Sequence, residues 1–309
     1  MPGQTAGWDR LRLRLRSAAP PLYPPAPHPP AADCEVCRGP VRPGFARCYQ
    51  CDRHALLGPA LLADAVVPIS YAIKGTPFAD DLWRYKSATT FCPTSAASPA
   101  PAAFPALEVY PALAAFPAPA VSPAPAAAPA VTSASIPAPA SAPTPASARA
   151  SVLALLLAFL TDHGPCVWRR AGMPPPDRLA VVPTGAGRPG PHPLLRLVSP
   201  YLLLPGCALA LRPGRQGRDL DLDRFQVLAR PGGASVLLLD DTWVSGASAQ
   251  SAAAALKLAG ARHVAVIVLG RHVNPADTAS APLLVGLAAA RYDPSACAVH
   301  PPPNGTNRR

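Results

Sequence analysis

Ser235-Val-Leu-Leu-Leu-Asp-Asp-Thr-Trp-Val-Ser-Gly-Ala-Ser248 joins a short apolar run to two acids and a small-residue loop carrying Gly246. An Ala-rich stretch, Ala249 to Ala259, follows and is closed by Gly260, the residue expected just past a helix. A second apolar run, His263 to Leu269, completes a strand–loop–helix–strand unit. Runs this short, bounded by turn signals, predict buried parallel strands. The backbone N–H groups of Thr242, Trp243, Val244, Ser245, Gly246, Ala247 and Ser248 lie at the mouth of a helix, where they can cradle a phosphate. Gly246 permits positive φ, Ser245 and Ser248 add hydroxyls, and Asp240 and Asp241 are placed to accept hydrogen bonds from sugar hydroxyls.

Apolar residues, an acidic pair and a hydroxyl-Gly-x-hydroxyl loop together resemble the PRPP-binding signature of type I phosphoribosyltransferases. The resemblance implies that Asp240 and Asp241 hold the ribose 2′- and 3′-hydroxyls and are the candidate catalytic pair. It further implies that the loop Thr242 to Ser248 holds the 5′-phosphate. Ser245 and Ser248 stand where Thr is usual and keep the hydroxyl. The bland alternative is a buried strand whose acids cap a helix.

The chain has 309 residues, of which 45 are proline, and a formal charge of +11 carried mostly by arginine. That charge suits phosphate-bearing ligands or nucleic acid, although arginine- and alanine-rich coding by a GC-rich genome produces the same balance. The apolar run Ser151 to Leu160 is too short to span a bilayer. Met1 to Ala32 is broken by prolines and has no apolar core of a leader, so a cytoplasmic location is expected. There, eight cysteines imply metal ligands or free thiols rather than disulfides.

Residues 1–33 read as a disordered tail, including the basic Leu11 to Arg16 run. Cys34, Cys37, Cys48 and Cys51 form C-x2-C-x10-C-x2-C, two knuckles across a Gly/Pro loop, in a module spanning 34–54. Four thiolates with no open position specify a closed structural zinc site rather than a catalytic one. His54 reads as a spare ligand or a surface residue. Farther on come Tyr71, Gly75 and Leu82 to Lys86. A four-cysteine pair, a Tyr…Gly…Leu…Tyr-Lys segment and then a PRPP loop resemble the ComF family, phosphoribosyltransferase-like proteins linked to bacterial DNA uptake. That family extends the expected partners from PRPP and an acceptor to DNA-uptake machinery or single-stranded DNA, and to a homodimer.

Residues 88–147 are almost wholly Ala, Pro, Ser and Thr, with too little apolar area to offset ordering entropy. This disordered Ala/Pro-rich insertion, a departure from the family pattern, either loops out of the domain or is a reading-frame artefact. Ala148 to Thr161 is apolar nearly all round, as in a buried helix. Arg178 to Pro183 reads as a strand leading into Thr184, Gly185, Ala186, Gly187 and Arg188, which the resemblance makes the pyrophosphate loop. A dinucleotide fold is excluded despite G-x-G-x-x-G, because Pro189, Pro191 and Pro193 spoil the helix opening and no acid follows about 20 residues on. The family's Arg-Gly-Phe-Asn signature is not present after this loop. Leu194 to Leu204 predicts a helix, Ala208 to Leu211 a strand, and Arg212 to Phe225 a polar lid that resembles the family through Gln216, Leu220, Arg224 and Phe225. Cys297 and His300 have ligand spacing, but one pair alone does not make a metal site.

The expected fold class is therefore α/β, a parallel-sheet type I phosphoribosyltransferase-like domain (55–87 and 148–300) with a small N-terminal zinc module. The implied activity is Mg2+-dependent phosphoribosyl transfer from PRPP to a nitrogen nucleophile, that of a pentosyl glycosyltransferase. The alternative is a catalytically inactive PRPP-binding or DNA-uptake accessory protein acting through partners. No G-x-x-x-x-G-K-[ST] is present, which removes the P-loop NTPase class.

Overall fold

Continuous apolar strands need cover on both faces, and the computed structural model supplies it. It describes residues 33–86, 144–184, 191–288 and 292–300. The chain runs α1 (Tyr49–Ala55), β1 (Ala65–Ile73), α2 (Pro77–Arg84), α3 (Pro145–Arg170), β2 (Arg178–Val181) and α4 (Pro193–Val198). It continues through β3 (Leu209–Leu211), β4 (Phe225–Val227), β5 (Ser235–Trp243), α5 (Ala247–Leu258), β6 (His263–Val273) and α6 (Ala281–Ala288). The main sheet has the order β1-β6-β5-β2, every neighbour parallel, and β3 pairs antiparallel with β4. The fold is thus α/β with a parallel sheet, as expected.

The strand period of two divides the core. Leu237 and Leu239 of β5 and Ala265, Ile267 and Leu269 of β6 join α2, α3 and α4 on one face. Val236 and Leu238, with Val264, Val266 and Val268, meet α5 and three of the N-terminal cysteines on the other. Both central strands are buried on two sides, which is why their sequences carry no alternation.

Several boundaries move for local reasons. Helix α3 starts at Pro145, where proline is tolerated in a first turn, and the Thr144 hydroxyl caps it by accepting from Ser147 N at 3.2 Å. Residues 144–147 therefore belong to the helix and its cap rather than to the insertion; the rest of that insertion through 143, and the tail through residue 32, lie outside the described residues. By length and composition α3 could cross a membrane, yet 61% of its apolar window is buried inside the protein. Helix α4 ends at Val198, short of Leu204, because Pro200 has no N–H to continue it. Strand β6 runs on to Val273, past the Leu269 expected from apolarity. Gly270 allows this: a Cβ there would lie 2.5 Å from Leu82 Cδ1 of α2, so the glycine lets α2 pack on the strand.

Candidate functional site

In open parallel sheets ligands bind beyond the strand C-termini, and the central strand β5 brings Asp240 and Asp241 there. Asp241 is buried, and its Oδ2 accepts from the Tyr85 hydroxyl at 2.7 Å and pairs with Lys86 Nζ at 2.8 Å. His192 Nε2, preceding α4, lies 3.9 Å from the same oxygen. The Tyr-Lys pair at the end of α2 thus meets the acidic pair across 156 residues of sequence. Burial acts to raise the Asp241 pKa, but Lys86, Tyr85 and His192 outweigh it and hold the carboxyl below the usual range. Asp240 goes the other way: burial and the neighbouring Asp241 charge push it up to about 8. One carboxylate charge is fixed and the other is available near neutrality.

That split has a measurable consequence. Asp240 keeps its proton in the folded chain after the unfolded chain has lost it. Its stability contribution is therefore present below the unfolded pKa near 4 and is lost as pH rises through about 8. Asp240→Asn is expected to flatten the pH dependence of the denaturation midpoint across that window. Parallel profiles for parent and variant would refute the raised pKa.

Beyond Trp243 the chain turns sharply. Gly246 takes φ +80° and is the N-cap of α5. Its role is not only to let backbone approach a ligand: a Cβ would fall 2.0 Å from Trp243 Cζ2. Trp243 is fully buried in the face shared with the cysteines, its indole filling the space under the glycine, so it faces the core. Gly246→Ala is therefore expected to cost stability, on the order of 1–3 kcal/mol from overpacking and strained φ. Trp243→Leu in the same chain should recover part of it in urea unfolding; strictly additive losses would show that indole and glycine are uncoupled.

The segment expected as a lid folds over this loop. Arg224 is buried, donating from Nη1 to Ser248 Oγ at 3.2 Å and from Nη2 to the Asp219 carbonyl. Ser245 Oγ donates to the Arg218 carbonyl at 3.2 Å, and Asp221 N donates to Ser251 Oγ at 2.9 Å. An arginine and a helix N-terminus converge on the serine loop, an arrangement suited to an anion. A cavity of about 690 Å³ lies on the β2 and β3 side, lined by Thr184, His192, Leu211 and Gln216 among others. Gly185, Ala186, Gly187 and Arg188 lie outside the described residues.

Cys34, Cys37, Cys48 and Cys51 form a cluster whose sulphurs all lie within 4.8 Å of one another. Cys37 and Cys48 are 3.8 Å apart, which matches the edge of about 3.8 Å for a tetrahedron with 2.3 Å metal–sulphur bonds. The donor set fits a zinc ion. Hydrogen bonds from Cys34, Cys48 and Cys51, with the Arg271 guanidinium behind them, hold Cys37 well below the usual thiol range. Arg271 is buried; it bonds Cys37, donates to the Trp243 carbonyl at 3.0 Å, and lies flat on Gly39, where a Cβ would meet Nη2 at 2.0 Å. Tyr71, in register with Arg271 across β1 and β6, donates to the Arg38 carbonyl at 2.9 Å. The cysteine module is thereby fastened to the strand ends that carry the acidic pair. His54 is not a surface residue: it is 4% exposed, and burial lowers its pKa.

Of the residues singled out from sequence, the acidic pair, the serine loop, Thr184 and the four cysteines sit at or beside one end of the sheet. Sequence reasoning passed over the contacts of Lys86, His192 and Arg271; only the Tyr-Lys motif hinted at any of them. No protein-family model matches the chain, and no curated protein matches it. Among solved structures, a purine phosphoribosyltransferase from Pyrococcus horikoshii Ot3 aligns over 40% of this chain and 88% of its own, at 14% identity and a TM-score of 0.25.

Proposed function

We propose that the chain binds PRPP at the end of β5 and transfers its phosphoribosyl group to a nitrogen nucleophile. The observation that carries this reading is the sequence of groups along one strand end: Asp240 and Asp241, then left-handed Gly246, then the α5 N-terminus with Ser245, Ser248 and Arg224 around it. In this reading the acids take the ribose hydroxyls and the loop takes the 5′-phosphate. Thr184 and the loop sequence to Arg188 are assigned to pyrophosphate binding, and the cavity beside His192 receives the acceptor.

Displacement at the anomeric carbon passes through an oxocarbenium-like centre, so the protein works by positioning and charge balance. Mg2+ bound to PRPP would supply charge neutralisation for the pyrophosphate leaving group. Lys86 holds Asp241 as an anion and sets its orientation, and Asp240 beside it takes the second ribose hydroxyl. Zinc in the four-cysteine cluster is structural, since four thiolates leave no open coordination position. The ComF-like order of zinc knuckles, Tyr-Lys segment and PRPP loop extends the proposal to a cytoplasmic role in DNA uptake, with a homodimer as the working form.

A second reading, a PRPP-binding accessory that does not turn over, is favoured by the loop after β2, which has no Arg-Gly-Phe-Asn signature following it. Incubation with Mg2+-PRPP and a panel of nucleobases separates the two. Base-dependent pyrophosphate release is expected for the transferase; saturable binding with no release would select the accessory.

A further inference from the structure

We propose a second metal site, a tetrahedral zinc held by His163, Cys166, Cys297 and His300, that staples the C-terminal segment to α3. His163 and Cys166 are spaced i, i+3 on α3 and so share one helix face. Cys297 and His300 carry the same spacing in the segment 292–300. The fold brings three of the four together: ligand atoms of His163, Cys166 and Cys297 all lie within 4.8 Å of one another, and His300, outside that group, is an exposed side chain that completes the set by turning in from beside Cys297. Cys297 Sγ lies 3.5 Å from His300 Nδ1. Zinc–sulphur and zinc–nitrogen bonds of 2.3 and about 2.0 Å at a tetrahedral angle require a sulphur–nitrogen edge of about 3.5 Å.

The surroundings are those of a ligand set. The Val299 N–H points at Cys297 Sγ from 3.4 Å, a contact that stabilises a thiolate. His163 Nε2 lies 3.3 Å from the Pro294 carbonyl; with the proton on Nε2, Nδ1 keeps the lone pair a metal needs, the usual outer contact of a ligating histidine. The segment is also preshaped. Asp293 Oδ1 accepts from Ser295 N at 2.9 Å, and Tyr292 and Ala298 are buried on either side of the turn. Two thiols and an imidazole within 4.8 Å of one another, with a second imidazole 3.5 Å from one of the thiols, select zinc over harder divalent ions. With His300 turned in, all four positions are filled by protein, and the role of the site is to hold the segment on the helix that covers the sheet.

The full-length chain, reduced, saturated with zinc and desalted, is expected to carry about two zinc ions by elemental analysis, one in each four-ligand set. Cys297→Ser and His300→Ala, at half-buried and exposed positions, should each reduce the content to about one without unfolding the chain. Cobalt loading of a Cys34→Ser, Cys37→Ser chain should still give tetrahedral absorption with the thiolate intensity of two sulphurs, lost on adding Cys297→Ser. One zinc in the parent, unchanged by Cys297→Ser, would overturn the proposal. So would a Cys166–Cys297 disulfide that forms readily in air with zinc present. None of these readouts depends on PRPP.

Discussion

Arg271→Met is expected to lower the melting temperature of the zinc-loaded chain by roughly 6–20 °C, from a loss of about 3–5 kcal/mol on breaking a buried ionic contact. In the zinc-loaded chain the guanidinium would neutralise part of the charge on the four thiolates, and it satisfies the Trp243 carbonyl at the end of β5. Methionine fills much of the volume but leaves Cys37 and that carbonyl without their donor. Lysine restores the charge but not the planar fork, so Arg271→Lys should recover only part of the loss. Zinc content should stay near one ion in the four-cysteine module, because the ligands themselves are intact. A melting temperature within about 2 °C of the parent, well inside the range expected for a surface change, would mean that the module and the strand end are not coupled through this side chain.

Asp241→Asn is expected to weaken PRPP binding by about tenfold or more, since charge-assisted hydrogen bonds are roughly twice as strong as neutral ones. The variant also removes the anion that faces Lys86 at 2.8 Å and Tyr85 at 2.7 Å. It should therefore lose stability as well. Lys86→Met in the same background separates the two effects. If the Lys86 ion pair is the main structural role, the double variant should melt close to Lys86→Met alone. If Asp241 also holds ribose, PRPP binding in the double variant should remain weaker than in Lys86→Met. Equal PRPP affinity for parent and Asp241→Asn would reduce the acid to a structural partner of Tyr85 and Lys86.

The β5-α5-β6 unit was legible because its signals are local: apolar runs of strand length, an Ala-rich helix, Gly260 at its end and Gly246 in its opening. The four-cysteine spacing was legible for the same reason, since both knuckles lie within 18 residues, Cys34 to Cys51. What escaped was set by contacts between distant segments. Trp243 read as one of the residues of the phosphate-binding loop, yet register with Arg271 and the space under Gly246 make it core. His54 read as surface because a lone histidine after a cysteine pair carries no sign of burial. Strand β6 read as ending at Leu269, since Gly270, Arg271 and His272 break the apolar run; α2 on one side and the four-cysteine module on the other support that continuation. Cys297 and His300 read as an isolated pair because their partners are on a helix more than 100 residues earlier, Cys166 being 131 residues before Cys297.

The most direct test of PRPP recognition at the end of β5 is isothermal calorimetry of zinc-loaded chain with Mg2+-PRPP, run beside ribose 5-phosphate and Mg2+-pyrophosphate. Saturable binding of PRPP, competition by ribose 5-phosphate, and loss of both in an Asp240→Asn, Asp241→Asn chain that still melts cooperatively are the predicted results. No PRPP binding by the parent chain, or binding that the double variant keeps unchanged, would contradict it.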